Sequence, residues 1–234
     1  MIDQDQRNKK ERLRCLSFFI VFEWLHIIFT GESLKYRGNI LRFFNLLLYD
    51  INKLIFGGRI MEQTKDGQII VVEKAVPKDV QRIIEICSKG YAYTVRNNRN
   101  QEIAKKAIQE YYNEERVLRE IKETNEKWNG YIVARVDGKV VGAAGGGLWE
   151  TGVGIIYVIY LDLNYLRQGI GSRLIHYLTE QQVQLGAIKQ QVSVLTVNDL
   201  GQKFYHALGF RKLYERKHPT DHEYNSYILE RSIQ

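Results

Sequence analysis

The sequence predicts an α/β (α+β) fold in which a mixed central sheet of about six to seven strands is flanked by helices. Short apolar runs that are typical of strands recur between Gln68 and Glu230, and stretches whose apolar residues follow helical spacing interrupt them. Strand and helix patterns alternate in the second half of this region, and two consecutive strands close it. This order of elements is typical of a mixed sheet covered by helices.

The first predicted elements are a strand and a helix. Gln68 to Lys74 contains four consecutive apolar residues and is predicted to be a strand. Pro77 and Asp79 are typical of a first helical turn, because the missing amide of Pro costs nothing there and an acidic side chain suits the helix dipole. Gly90 is predicted to end this helix, and a long charged helix is predicted from Ile103 to Ile121.

A hairpin and three glycines follow. Tyr131 to Val136 and Lys139 to Ala144 are predicted strands around the tight turn Asp137-Gly138. Gly145 to Gly147 is expected to weaken regular pairing or to bring the backbone close to another part of the chain. Ile155 to Leu163 is an apolar run and is therefore predicted to be a strand that is buried on both faces.

The C-terminal elements alternate between helix and strand. Gly186 and Gly209 are predicted to end two helices, because glycine readily adopts the left-handed conformation that follows a helix. The predicted elements are a helix from Gly169 to Leu185, a strand from Gln191 to Val197, a helix from Leu200 to Leu208, and strands from Arg211 to Glu215 and Tyr224 to Glu230.

Charge and composition narrow the choice of partners. The formal net charge is +7, but basic residues are interleaved with acidic ones, so nucleic acid is not favoured and an anionic cofactor suits the charge equally well. Cys15 and Cys87 are too far apart for a metal-binding spacing or a disulfide framework, which fits a reducing cytoplasm. His218 and His222 have no third ligand near them in sequence, so no metal is predicted.

Residues 1–60 differ in composition from residues 61–234, which predicts an N-terminal extension before a single folded domain. The first sixty residues contain no Ala or Pro but seven of the nine Phe. One hypothesis is an amphipathic, membrane-associated segment, although Glu23 and His26 interrupt its first apolar stretch, so a membrane partner is not favoured. The other hypothesis is translated upstream sequence, because A/T-rich DNA gives this composition and Gly57-Gly58-Arg59 suits a bacterial ribosome-binding site before a start at Met61.

The sharpest local motif runs from Arg167 to Ser172, where a buried strand ends and a helix begins. Glycines let backbone amides approach a ligand, and a helix N-terminus attracts phosphate. A dinucleotide-binding fingerprint would need a third glycine where Leu174 stands, and a P-loop would end in Gly-Lys-Ser or Gly-Lys-Thr. Neither pattern is present, and the motif by itself is also compatible with an ordinary strand-to-helix turn.

Asn198 and the segment Phe204-Tyr205-His206-Ala207-Leu208-Gly209-Phe210 form a second motif, with one helix and one strand between it and the first. Together the two motifs resemble those of the GNAT superfamily, the GCN5-related N-acetyltransferases. The phosphate-binding loop of that family has the form Arg/Gln-x-x-Gly-x-Gly, and its later helix carries Asn followed by Phe-Tyr-x-x-Leu-Gly-Phe. The resemblance extends from Gln68 to Glu230 and implies the GNAT fold, with acetyl-CoA as co-substrate.

The resemblance also implies roles for individual residues. Tyr205 would protonate the departing thiolate as general acid, since Tyr keeps its proton at neutral pH. Ile159 and Leu161 would splay from the neighbouring strand and pair with pantetheine, which Asn198 would also contact. The Leu161 amide would polarise the thioester carbonyl. The backbone amides that would hold the pyrophosphate belong to Arg167, Gln168, Gly169, Ile170, Gly171 and Ser172.

The sequence departs from the family pattern at two positions. Leu166 occupies the first position of the loop motif, where Arg or Gln is usual, but backbone amides carry much of the loop's function, so binding is expected to survive. Tyr157 stands where many relatives have Glu, so the usual carboxylate base is missing. A water relay or another residue must then deprotonate the amine. Glu150 is the predicted candidate, and Glu115 is a less favoured one. The aromatic residues proposed for the acceptor pocket are Tyr91, Tyr93, Trp149 and Tyr160.

The resemblance therefore implies an N-acetyltransferase of the bacterial cytoplasm. It would move an acetyl group from acetyl-CoA to a primary amine of a small molecule by direct attack, without a covalent enzyme intermediate. Two alternatives stay open: a catalytically degenerate GNAT-fold protein that binds or senses acyl-CoA, and a protein N-acetyltransferase. The sequence determines neither the acceptor nor the oligomeric state, for which a homodimer stays open.

Overall fold

The computed structural model describes residues 59–63, 67–96, 101–217 and 225–233. Residues Met61–Gln234 form one compact unit. The hypotheses about the segment that precedes Met61 concern residues that lie almost entirely outside the described ones, and His218 and His222 lie outside them as well.

One mixed sheet runs through this unit. Its strands are β1 (Ile60–Gln63), β2 (Ile69–Lys74), β3 (Tyr131–Val136), β4 (Lys139–Glu150), β5 (Val153–Leu161), β6 (Lys189–Leu195), β7 (Arg211–Lys217) and β8 (Asn225–Ser232). They lie in the order β1-β2-β3-β4-β5-β6-β8-β7. β5 and β6 are parallel, whereas β2 to β5 pair with one another antiparallel and β8 pairs antiparallel with β6 and β7. The mixed α/β fold is thus confirmed, and β1 is the strand beyond the predicted six to seven.

The helices of the described residues flank this sheet. They are α1 (Val80–Thr94), α2 (Gln101–Tyr111), α3 (Glu114–Lys122), α4 (Ile170–Gln184) and α5 (Asp199–Ala207), with short 3-10 helices at Pro77–Asp79 and Leu163–Tyr165. No helix in the described part of the chain combines the length and the apolar character that a bilayer crossing needs.

α1 and α4 cover opposite faces of the sheet. Successive side chains of a strand point to opposite faces. In β4, Ala143 belongs to the buried cluster that contains Ile83 and Ile86 of α1, whereas its neighbour Gly142 faces Leu174 of α4. The sheet is therefore buried on both sides at β4. The prediction that β5 is buried on both faces holds only for its first half, because Tyr157 is 47% exposed and the last three residues of β5 are partly buried.

Gly90 lies within α1 and does not end it, contrary to the prediction from the sequence. A Cβ atom at this position would lie 2.4 Å from the Tyr160 ring, so α1 can approach β5 this closely only with glycine here. The helix continues to Thr94 because nothing in its backbone demands a stop. A packing requirement, rather than a helix end, explains this glycine.

The prediction of a single helix from Ile103 to Ile121 is wrong, because α2 ends at Tyr111 and α3 begins at Glu114. Asn113 lies between them in an extended conformation and caps α3, since its Oδ1 accepts a hydrogen bond from the Arg116 N–H at 2.9 Å. Asparagine is a favoured N-cap and a poor residue in a helix interior. The charged sequence pattern therefore continues past Asn113, although the helix is interrupted there.

The three consecutive glycines of β4, Gly145 to Gly147, bring another segment close to the strand. A Cβ atom on Gly145 would lie 2.4 Å from the Trp128 ring, and one on Gly147 would lie 2.3 Å from the Lys127 carbonyl oxygen. The Asn129 N–H donates to the Gly146 carbonyl at 2.8 Å. β4 continues beyond Ala144 through these glycines to Glu150, with a register shift against β5 between Gly145 and Gly146. Both expected effects of these glycines, irregular pairing and close approach, are present.

Gln182 of α4 stabilises this irregular part of β4. Its Nε2 donates to the carbonyl oxygens of Gly147 and Ile155 at 3.0 and 2.8 Å, and its Oε1 accepts a hydrogen bond from Gln190 Nε2 at 2.7 Å. Buried carbonyls that the sheet leaves irregularly paired would be costly without a donor. The side chain of Gln182, which is fully buried, supplies that donor from the helix.

We expect Gly90→Ala to destabilise the protein, although Ala is the better helix former. Alanine gains about 1 kcal/mol over glycine in an exposed helix interior, but overpacking against the Tyr160 ring costs about 1–3 kcal/mol. Urea unfolding measures the difference, and the same substitution in a Tyr160→Ala background is the control. A Gly90→Ala protein that is more stable than wild type in both backgrounds would contradict the packing account.

Glu180 of α4 should make stability depend on pH. Burial raises the pKa of its carboxyl from 4.5 to about 7. The folded protein thus holds a proton that the unfolded chain releases, so this contribution is complete below pH 4.5 and is lost as the pH rises through about 7. We expect Glu180→Gln to be nearly neutral at pH 5 and to add roughly 1–3 kcal/mol at pH 8.5. Urea unfolding at both pH values measures this, and equal effects at the two would contradict it.

Candidate functional site

β5 and β6 pair with each other only over their first halves. Their register ends at Ile156 opposite Val192. Beyond that point β5 stays paired with β4 as far as Leu161, and β6 stays paired with β8 as far as Leu195. The two strands therefore part into a gap, here called the β5–β6 wedge, whose inner edges carry backbone groups that the opposite strand does not pair.

A cavity of about 650 Å³ fills the wedge and extends to α1, α2, α3 and α5. Seven tyrosines and Trp128 contribute to its wall, so aromatic rings form a large part of it. Its volume is in the range of pockets that enclose small molecules. This space is called the wedge cavity below.

The rings of the wedge cavity form two packed groups. One joins α1 to β5, and the other joins the segment before β3 to β3 and β5. Such contacts hold rings in fixed orientations, and the ring faces attract cations. The centroid distances are 6.4 Å for Tyr91–Tyr112, 6.2 Å for Tyr112–Tyr160, 5.1 Å for Trp128–Tyr131 and 6.1 Å for Trp128–Tyr157.

Tyr205 of α5 lines the wedge cavity from the side of β6. Its ring packs between those of Phe204 and Phe210, with centroids at 5.2 and 5.4 Å. Burial raises the pKa of the Tyr205 phenol above its ordinary value of 10. The hydroxyl therefore keeps its proton at neutral pH.

The charged side chains of the wedge cavity include a single carboxylate among the residues that the structure describes, and it belongs to Glu120 of α3. Arg116, one helical turn earlier, donates from Nε to Glu120 Oε1 at 2.8 Å. Lys127 and Arg216 also line the cavity. The Glu120 side chain is 21% exposed, so its charge is partly shielded from bulk solvent.

The Arg167–Ser172 loop leads from β5 into α4. Arg167 and Gly169 have φ values of 62° and 73°, in the left-handed region, and no side chain caps the helix. The first amide groups of a helix have no partner within the helix and carry partial positive charge. The 3-10 helix Leu163–Tyr165 joins this loop to the end of β5, so a helix N-terminus, which is a favourable environment for an anion, lies at the same end of β5 as the wedge.

The structure brings Ile159, Asn198 and Tyr205 together in the wall of the wedge cavity, although they lie on three different elements. Asn198 also caps α5, because its Oδ1 accepts a hydrogen bond from the Gly201 N–H at 2.9 Å. Leu161 ends β5 and lines a second, smaller cavity of about 380 Å³. The loop residues Gln168, Ile170 and Gly171 come after the 3-10 helix Leu163–Tyr165, and Ile170 and Gly171 are buried at the start of α4.

The structure does not bring Glu150 to the wedge cavity. Its side chain is exposed, and it pairs with Val153 at the first residue of β5. Val153 precedes Tyr157 by four residues, or about 13 Å of strand, and lies at the end where β5 is still paired with β6. Of the other residues considered, Tyr91 and Tyr160 line the cavity, whereas Tyr93, Glu115 and Trp149 do not.

Glu120 and Arg116 form an ion pair in the site that the sequence did not reveal. Their spacing of four residues on a charged helix predicts an ion pair, and most such pairs lie on solvated faces. Nothing local distinguishes the pair from that of Arg119 and Glu115 on the same helix, which is exposed. Only the packing of α3 against the sheet makes the difference.

The sequence model of the acetyltransferase (GNAT) family matches residues 97–210, which include the wedge strands, the Arg167–Ser172 loop and α5. This match supports membership of the GNAT superfamily. No curated protein matches the chain in sequence.

Solved GNAT structures share the fold. PaiA N-acetyltransferase from Thermoplasma acidophilum, in complex with coenzyme A, has a TM-score of 0.61 and 20% identity over 70% of this chain and 98% of its own. Ard1 from Thermoplasma volcanium has a TM-score of 0.55 and 22% identity over 70% and 98%. YncA from Salmonella typhimurium, with its cofactor acetyl-CoA, has a TM-score of 0.50 and 15% identity over 70% and 94%. At these identities the likeness concerns the fold alone.

Proposed function

We propose that this chain transfers an acetyl group from acetyl-CoA to a primary amine of a small molecule. One observation carries the proposal: the β5–β6 wedge opens on a cavity that contains the buried phenol of Tyr205 and lies at the same end of β5 as an uncapped helix N-terminus. Residues 61–234 carry this function in the proposal, and residues 1–60 are an extension.

The wedge suits the pantetheine arm of the coenzyme. Beyond Ile156, β5 no longer pairs with β6, so the backbone at Ile159 faces a gap in which an amide-containing chain can replace the missing strand. The amides from Arg167 to Ser172 would receive the pyrophosphate. Two structures of similar fold contain coenzyme A or acetyl-CoA, which supports this assignment.

The proposed reaction is direct attack of the amine nitrogen on the thioester carbonyl carbon. The carbon–nitrogen bond forms, the carbon–sulfur bond breaks, and the thiolate takes a proton from Tyr205, whose raised pKa keeps that proton available at neutral pH. The Leu161 N–H would stabilise the negative charge that develops on the carbonyl oxygen. No covalent enzyme intermediate is needed.

The shape of the wedge cavity favours a small amine. Its wall is aromatic and comes from helices as well as strands, so it can surround a ligand of limited size. Ring faces attract the ammonium form of such a ligand. The replacement of Glu by Tyr157 in β5 is the one observation that favours the alternative of an acyl-CoA-binding protein without catalysis, and a panel of amines assayed with acetyl-CoA separates the two.

Coenzyme A should stabilise the full-length protein. At a hundred times its dissociation constant it adds about 2.7 kcal/mol, which raises the midpoint of thermal unfolding by roughly 5–10 °C. Gly169→Val should remove most of this shift, because valine is strained at a φ of 73° and displaces the loop amides. Gly186→Val is the matched control, since Gly186 has a φ of 92° at the other end of α4. Equal shifts in the two variants would contradict the loop assignment.

Tyr205→Phe should lower kcat about 100-fold while leaving the affinity for coenzyme A unchanged, because only the proton donor is lost. Steady-state kinetics with the best amine of the panel, together with a binding titration, measure both quantities. Tyr214→Phe removes a hydroxyl from a half-exposed tyrosine of β7 outside the cavity and is the control. Wild-type turnover by Tyr205→Phe would show that Tyr205 is not the general acid.

A further inference from the structure

The acceptor amine must be deprotonated before it reacts, and Tyr157 is not suited to take its proton. A primary amine is largely an ammonium ion at neutral pH and must lose a proton before it can attack. Tyr157 lines the wedge cavity, and burial raises the pKa of its phenol above 10. A neutral phenol is a poor proton acceptor, so another group must take this proton.

Glu120 is placed where such a group is needed. It supplies the single carboxylate among the described residues that line the wedge cavity. Arg116 holds its Oε1 at 2.8 Å through an interaction within the same helix, which fixes the side chain against the cavity. The carboxylate is partly buried rather than solvated, unlike that of Glu115, whose side chain is 90% exposed.

Trp128 contacts both Glu120 and Tyr157 and thereby links α3 to β5. The Trp128 Nε1–H donates to the backbone carbonyl of Glu120 at 2.7 Å, and the Trp128 ring lies 6.1 Å from the Tyr157 ring. The approach of this tryptophan depends on Gly145, where any side chain would meet its ring. The end of α3 is therefore anchored beside the part of β5 that lacks the usual carboxylate.

We propose that Glu120 takes the proton from the acceptor ammonium, so that α3 supplies the base that β5 lacks. The inference rests on the proposed acetyl transfer. Of the two protons that the nitrogen loses, the first passes to Glu120 and on to solvent. The second leaves after the carbon–nitrogen bond has formed and replaces the proton that Tyr205 gives to the sulfur. The products are the amide, the free thiol of coenzyme A and one proton.

Several groups face Glu120 from the elements around it. Arg116 lies on its own helix, and Tyr131 approaches from β3, where burial and then the nearby Cys87 and Glu120 raise the pKa of its phenol. Cys87 lies on α1, and burial and then the Glu120 charge raise the pKa of its thiol. Lys127 lines the same cavity. Both Tyr131 and Cys87 thus keep their protons near neutral pH, so neither can take a proton from the ammonium ion.

The test compares Glu120→Gln with Glu123→Gln in the full-length protein. Glu123 follows α3 directly and is exposed, so its substitution changes the charge of the same segment without reaching the cavity. We expect Glu120→Gln to lower kcat at pH 7 about 100-fold, to leave the thermal shift by coenzyme A unchanged, and to give a kcat that keeps rising with pH. Glu123→Gln should behave as wild type.

A rescue variant keeps this test independent of any structural damage at Glu120. Tyr157→Glu in the Glu120→Gln background returns a carboxylate to β5. The double variant should have a kcat at least ten times higher than that of Glu120→Gln alone. Wild-type kcat and an unaltered pH profile in Glu120→Gln would overturn the inference, as would an equal loss in Glu123→Gln. A wild-type chain that binds acetyl-CoA but acetylates no amine would instead contradict the proposed function itself.

Discussion

The parting of β5 and β6 positions every other part of the site. Each strand is held on its outer side, β5 by β4 and β6 by β8, so the gap between them cannot close by a simple slide of either strand. The Arg167–Ser172 loop and α4 follow the end of β5, and Asn198 and α5 follow the end of β6. The wedge thus sets the distance between the loop amides and Tyr205, and a ligand that reaches both must pass through it.

Glycine positions determine how closely the cavity walls approach the sheet. Gly90 lets α1 pack onto the Tyr160 ring, and Gly145 lets the segment before β3 place Trp128 on β4. Both aromatic residues then face the wedge cavity. A methyl group at either glycine would push the wall outward, so the cavity depends on absent side chains as much as on the rings that line it.

Features that depend on local chemistry could be predicted from the sequence, whereas those that depend on packing could not. The hairpin of β3 and β4, the Arg167–Ser172 loop and the motif around Tyr205 are local, and their residues carry their own signals. Gly90 looks like a helix stop because glycine often is one, and only Tyr160, seventy residues later, shows otherwise. Glu120 looks like any charged helix residue, because its burial depends on the cap at Asn113 and on Trp128.

A crystal structure of the full-length protein with coenzyme A would test the central claim most directly. We expect the pantetheine arm to lie between β5 and β6 beyond Ile156, with its sulfur next to the Tyr205 hydroxyl and its pyrophosphate at the amides of the Arg167–Ser172 loop. A coenzyme bound elsewhere, with the wedge left open or filled by side chains, would contradict the account.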